Sequence, residues 1–185
     1  MTLKEMKEQV YRIIEELGST PATHLTDDPD YENKINDCIN VVQNELARIK
    51  PIHDKITYNT ETSQTGNEFT FTDDMRQVYK VVGCNDYNII GKKIIFDEDY
   101  KGDVDIYYYK YPELIAEDED EDTYTFELDM DALEVMPFGV AGDMLKTDPS
   151  TNYGMYFSNR YNELKQMLDS RSTAGLITIE GGVDL

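Results

Sequence analysis

Apolar residues in this chain recur at helical spacing near both ends and at strand spacing in the middle, and this change of period restricts the fold more than any other feature. In residues 2–17 the side chains Leu3, Met6, Val10, Ile13, Ile14 and Leu17 fall on one face of a helix. Thr2 and Glu5 form a capping-box pattern at its start, and Gly18 supplies a stop. A second helix is expected from Asp28-Pro29, with Asp28 as N-cap and Pro29 at the first helical position. Its stripe is Tyr31, Ile35, Cys38, Ile39, Val42, Leu46 and Ile49, ending before Pro51. Two stripes of this kind suit an antiparallel helix pair.

From about residue 56 to 111 the period shifts. The runs KITYNTE, NEFTFTDD, VYKVVG, KKIIFD and DVDIYYYKYP are rich in Thr, Tyr, Val, Ile and Phe. Gly66, Gly83, Asn85-Asp86, Gly91 and Gly102 divide them. Five short strands imply a small antiparallel sheet or sandwich between helices. In Tyr107-Tyr108-Tyr109, alternation must turn at least one ring away from the core, as a protomer contact or as an ordinary exposed strand tyrosine.

The six-residue run Glu117, Asp118, Glu119, Asp120, Glu121, Asp122 is too charged to pack and reads as a solvated loop. Helical spacing then returns. Asp129 is placed to cap a helix lined by Leu133, Met136, Val140, Met144 and Leu145, which Pro137 should kink or divide near Leu133. Gly139, Ala141 and Gly142 are small enough to admit a neighbouring helix closely. A last helix over residues 152–170 carries Tyr153, Tyr156, Phe157, Tyr161, Leu164, Met167 and Leu168. The tail differs again: Leu176, Ile177, Thr178, Ile179 and Glu180 alternate like a strand, with glycines around them and Val183 beyond. A strand with no hairpin mate must pair elsewhere, including with another copy of the chain.

The expected fold class is therefore α+β: mainly a helical bundle of about four helices, with an inserted small antiparallel β subdomain and an extended C-terminal tail. The bundle takes residues 1–52 and 128–171, the β subdomain 53–115, the acidic loop 116–127 and the tail 172–185.

At 185 residues the chain can bury a core without disulfides. Its 17 Lys+Arg against 38 Asp+Glu give a net charge of −21, which repels nucleic acid and anionic membranes. Three roles for that charge stay open: solubility, a surface for a basic partner, or a wall that nucleic acid passes without sticking. Cys38 lies on a helix's apolar face and Cys84 in another segment, which suits reduced cysteines. The start MTLKEMKEQV lacks the apolar core of a signal peptide, and no stretch reaches the ~20 apolar residues of a membrane span. A soluble protein made in a cytoplasm is expected.

Catalytic patterns are missing from the sequence. His24 and His53 have no second histidine or cysteine at ligand spacing, and there is no Gly-rich phosphate loop and no GxSxG. No cofactor is implied. Asp118, Asp120, Asp122 and Asp129 occupy the first, third, fifth and twelfth places of an EF-hand frame, but Thr123 stands where the sharp turn needs glycine. A solvated loop is the better account.

The stretch MPFGVAGDMLKTDPSTNYGMYFSNRYNELKQML resembles the C-terminal helical hairpin of tailed-bacteriophage head–tail connector (adaptor) proteins. Pro137, Ala141 to Leu145, the turn Asp148 to Asn152 and the Tyr/Arg-rich Tyr156 to Leu168 carry the likeness. TLKEMKEQVYRIIEELG and INDCINVVQNELARI resemble the family's first two helices, FTFTDDMRQVYKVV its strand–turn–strand passage, and DIYYYKYPELI the strand leading back. The likeness spans residues 2–170 and rests on order and pattern.

The resemblance implies a non-enzymatic virion protein at the head–tail junction: a homo-oligomeric ring, commonly of twelve copies, beneath the portal protein. Such a ring joins tail or neck proteins below it, and DNA passes through during packaging and ejection without specific binding. Tail residues 172–185 would then contact a neighbour or the portal, and the acidic run is a candidate for the channel wall. Alternatives are a neck or tail completion protein, an acidic DNA mimic that inhibits a host DNA-binding enzyme, and a hydrolase with an acidic site, for which no nucleophile, base or metal set is in place.

Overall fold

The computed structural model describes residues 1–15, 25, 26, 28–117, 119–146 and 152–172. Leu17, Gly18, His24, Asp118, Asp148 and the tail strand Leu176 to Glu180 with Val183 lie outside the described residues. Among the described residues four helices, α1 (Leu3–Ile13), α2 (Pro29–Ile49), α3 (Met130–Met144) and α4 (Tyr153–Ser172), flank six strands. The strands are β1 (Ile52–Asn59), β2 (Glu68–Thr70), β3 (Met75–Val82), β4 (Tyr87–Ile90), β5 (Lys93–Phe96) and β6 (Asp103–Lys110).

Local chemistry sets the helix ends. Thr2 accepts from the Glu5 amide, and the Glu5 carboxylate accepts from the Thr2 amide at 2.9 Å, closing the capping box. At the other end α1 stops at Ile13, short of Leu17. Glu15 adopts φ 63°, and its amide bonds to Arg12 rather than continuing the helical ladder. Asp28 caps α2 through the Asp30 amide at 2.8 Å, and Asp129 caps α3 through the Ala132 amide at 2.8 Å.

α3 is buried over most of its surface from Ala132 through Met144, Glu134 alone of these being exposed, and so it takes the centre of the helical half. α1, α2 and α4 all pack on it, and the apolar stripes of α1 and α2 enter the same core. The stripes of α1 and α2 thus line one core together and share α3 as a partner. An apolar stripe dictates that a face is buried, not what covers it. Pro137 sits inside α3, which nevertheless runs unbroken, so the division expected near Leu133 does not occur. The proline forfeits one backbone bond, and buried residues on either side of it, Met136 and Gly139 among them, keep the helix continuous.

The middle of the chain makes two three-stranded antiparallel sheets, ordered β1-β6-β3 and β2-β5-β4. β1 and β6 pair without interruption from Ile52↔Lys110 to Asn59↔Asp103, while β3 joins β6 with irregularities at Arg76 and Tyr79. Phe69, Met75, Ile94, Phe96, Val104, Ile106 and Tyr108 form a second core, separate from the helical one.

This overturns the expectation of a mainly helical bundle with a small insertion. About 41% of the described residues are helical and 24% are strand, in two halves with a core each. The expected five strands are six. β4 lies between Asn85-Asp86 and Gly91, two turn signals so close together that they mask the strand between them. Both cysteines are free, and burial pushes the Cys38 thiol up to about 11. No helix among the described residues is long and apolar enough to cross a membrane.

Candidate functional site

Surfaces, rather than a pocket lined with reactive groups, hold the sequence-derived candidates. The acidic run is partly docked on α1. Asp120 turns the chain back, its carbonyl accepting from the Thr123 and Tyr124 amides. The Glu121 and Tyr124 carbonyls then take the Lys4 and Leu3 amides, two donors that the first turn of a helix leaves open. Side chains follow the same route. Asp122 pairs with Lys4 at 3.0 Å, and its hydrogen bond and charge hold the Lys4 ammonium above the ordinary lysine value. Glu121 pairs with Lys7 at 2.5 Å, where only 5% of Lys7 remains accessible. Glu117, Glu119 and Asp120 stay at the surface. Asp129 faces the α3 N-terminus as its cap and lies 3.9 Å from Lys50.

Glu121→Gln should therefore leave an ammonium group with no counter-charge where water reaches it poorly. Breaking a fully buried pair costs about 3–5 kcal/mol, but Glu121 is itself 38% exposed, so solvent screens part of the loss. A destabilisation of about 1–3 kcal/mol in urea titration is expected. A change below about 0.5 kcal/mol would show that Lys7 is as well solvated without its partner.

The small residues of α3 meet α4. A Cβ on Gly139 would fall 2.9 Å from the Tyr161 ring and 3.0 Å from Val42, and one on Gly142 would lie 2.7 Å from the Ser158 hydroxyl and 3.0 Å from its amide nitrogen. Ala141 is fully buried beside Leu145 and Phe157, and Pro137 is buried too. Glu45 binds α2 to α4 by accepting from the Tyr161 hydroxyl at 3.0 Å and Lys165 at 2.6 Å. Burial and the Glu45 charge both push the Tyr161 phenol up.

In the Tyr107-Tyr108-Tyr109 run, Tyr108 turns inward and its hydroxyl donates to Asp74 at 3.0 Å. Burial and the Asp74 carboxylate push its phenol up. Burial opposes ionisation of Asp74, yet hydrogen bonds from Thr72 and Tyr108 and the charge of Lys110 hold its carboxyl below the usual range. Tyr107 and Tyr109 face outward. Tyr79 stacks on Tyr109 with centroids 4.6 Å apart, and His53 stands edge-on to both. Lys55 and Lys80 flank the Tyr107 ring at 5.9 and 5.8 Å.

Two apolar features were not singled out from the sequence. At the β4–β5 hairpin, Gly91 (φ +61°) and Lys92 form a two-residue loop, and Ile90 beside it is 63% exposed, with Ile89 and Ile95 exposed nearby. On α4, Tyr153, Met155, Tyr156 and Met167 are exposed. Tyr153 and Tyr156 border a cleft of about 650 Å³ whose other walls include Ile13, Ile14, Glu15 and Phe157. The run IIGKKII held a clue to the first, since a two-residue loop placed at Gly91-Lys92 pairs Ile89 with Ile94 on one face and puts Ile90 and Ile95 on the other. The cleft depends on where α1 ends, which the stripe misplaced. Comparison with protein-family profiles and with curated proteins finds no match to the chain.

Proposed function

We propose that this chain is a structural, non-catalytic subunit of a tailed-phage head–tail connector, assembling as a ring that receives the tail below the portal. The observation that carries this reading is the placement of exposed apolar side chains on rigid elements in both halves. Ile89, Ile90 and Ile95 stand on one hairpin, and Tyr153, Met155, Tyr156 and Met167 on one helix. Side chains of this size held on a well-packed body are suited to contacts with other chains. The order of elements agrees with the family likeness: two N-terminal helices, a β section, the Pro137-bearing helix and the Tyr/Arg-rich α4. In such a ring Glu117, Glu119 and Asp120 would repel phosphate at a channel wall and let the duplex slide. Tail residues 172–185 are proposed, from their sequence alternation, to reach a neighbour or the portal.

Electron cryo-microscopy of particles that contain the protein is the test. A ring of copies between portal and tail is expected, together with co-purification of portal protein. Copies in the capsid shell or tail fibres would refute the reading, and a host nuclease or polymerase as the main partner would favour DNA mimicry instead.

A further inference from the structure

We propose that copies of this chain join head to tail, the β4–β5 hairpin tip of one copy entering the α1–α4 cleft of the next. The inference deepens the ring reading above and names the surfaces that build it. The tip offers Ile90, the most exposed isoleucine of the sheets, with Ile89 on the opposite face of the strand and Lys92 at the turn. The cleft offers Ile13, Ile14, Tyr153, Tyr156 and Phe157, with Glu15 as its one charged wall residue among those described. A cleft of about 650 Å³ is within the range that admits drug-sized groups, and two isoleucine side chains are smaller than that.

Charge agrees with shape. Among the described residues, neither Lys92 nor Glu15 has an ion-pair partner within its own chain. One lysine at the tip and one glutamate in the cleft match each other across a contact. They also put attraction where two chains of charge −21 would otherwise repel. Among the described residues the two features belong to different halves, β4 packing on β5 and α4 on α3 and α2, so the hairpin of a copy does not enter that copy's own cleft. Unlike surfaces meeting in this way form a heterologous contact, which repeats into a ring when the rotation closes.

Sedimentation velocity on the full chain tests this with two variants at exposed positions, Ile90→Asp and Tyr156→Asp. Ile90 and Tyr156 are each 63% exposed, so both variants should keep the wild-type circular dichroism spectrum. Wild type should associate as its concentration rises toward roughly 1 mM, while each variant alone stays monomeric. An equimolar mixture should give a one-to-one dimer and nothing larger, because one partner keeps its tip and the other its cleft. Lys92→Glu should weaken association roughly fivefold, and adding Glu15→Lys should restore it. A monomeric wild type, variants that associate like wild type, or a mixture that remains monomeric would each overturn the proposal. No virion is involved, so this result stands or falls apart from the connector reading.

Discussion

Gly142→Val is expected to destabilise the chain by about 3 kcal/mol or more and to be among the most damaging substitutions in the helical half. The reason is the nature of the obstacle. A Cβ at this position would meet the Ser158 hydroxyl at 2.7 Å, and that group can rotate, but the Ser158 amide nitrogen at 3.0 Å and its Cα at 3.3 Å belong to the backbone of α4. Relief requires α4 to move off α3, and α3 is the element on which every other helix rests. Alanine should do less harm, about 1–3 kcal/mol, because only its Cβ must be accommodated. Gly66 supplies the contrast. Nothing lies within 4 Å of a Cβ there, and alanine would pay only for its φ of +59°, about 1 kcal/mol. Urea denaturation of the three variants gives the ranking. Gly142→Val within about 1 kcal/mol of wild type would mean that the α3–α4 crossing is looser than its geometry.

Phe96→Ala should cost about 3–5 kcal/mol, the usual range for removing a buried aromatic ring from a core. Phe96 is 2% exposed and lies in the core shared by the two sheets, with its ring stacked near Tyr58 at 5.9 Å. Because that core is separate from the helical one, the loss should appear first as faster amide exchange over residues 52–110. The amides of α3 should be the last to respond. Equal acceleration in both halves would show that they unfold as one unit.

Several parts of this architecture could be read directly from residue order, and their limits have physical causes. The caps Thr2, Asp28 and Asp129 were legible because capping depends on side chains within three residues of the helix start. The stripes on α1, α2 and α3 were legible as burial. Their partners were not, since α3 buries apolar side chains over most of its surface and packs against both α1 and α2. Glu15 in a left-handed conformation shortened α1 against its own periodicity, and no local signal marks that turn. Strand β4 was hidden by turn residues on either side, and a strand of four residues leaves little pattern to detect. The acidic run was visible, but the docking of Glu121 and Asp122 on Lys7 and Lys4 joins residues more than a hundred positions apart.

One detail of the sheets reaches beyond folding. The chain enters the β half at Ile52 and leaves it at Lys110, and these two residues are direct cross-strand neighbours. A segment whose two ends meet in this manner joins the rest of the chain at a single point, so changes at its far turns need not move the helices. The β4–β5 turn, the far end of that segment, is thereby free to differ in its side chains while the scaffold that carries it stays as it is.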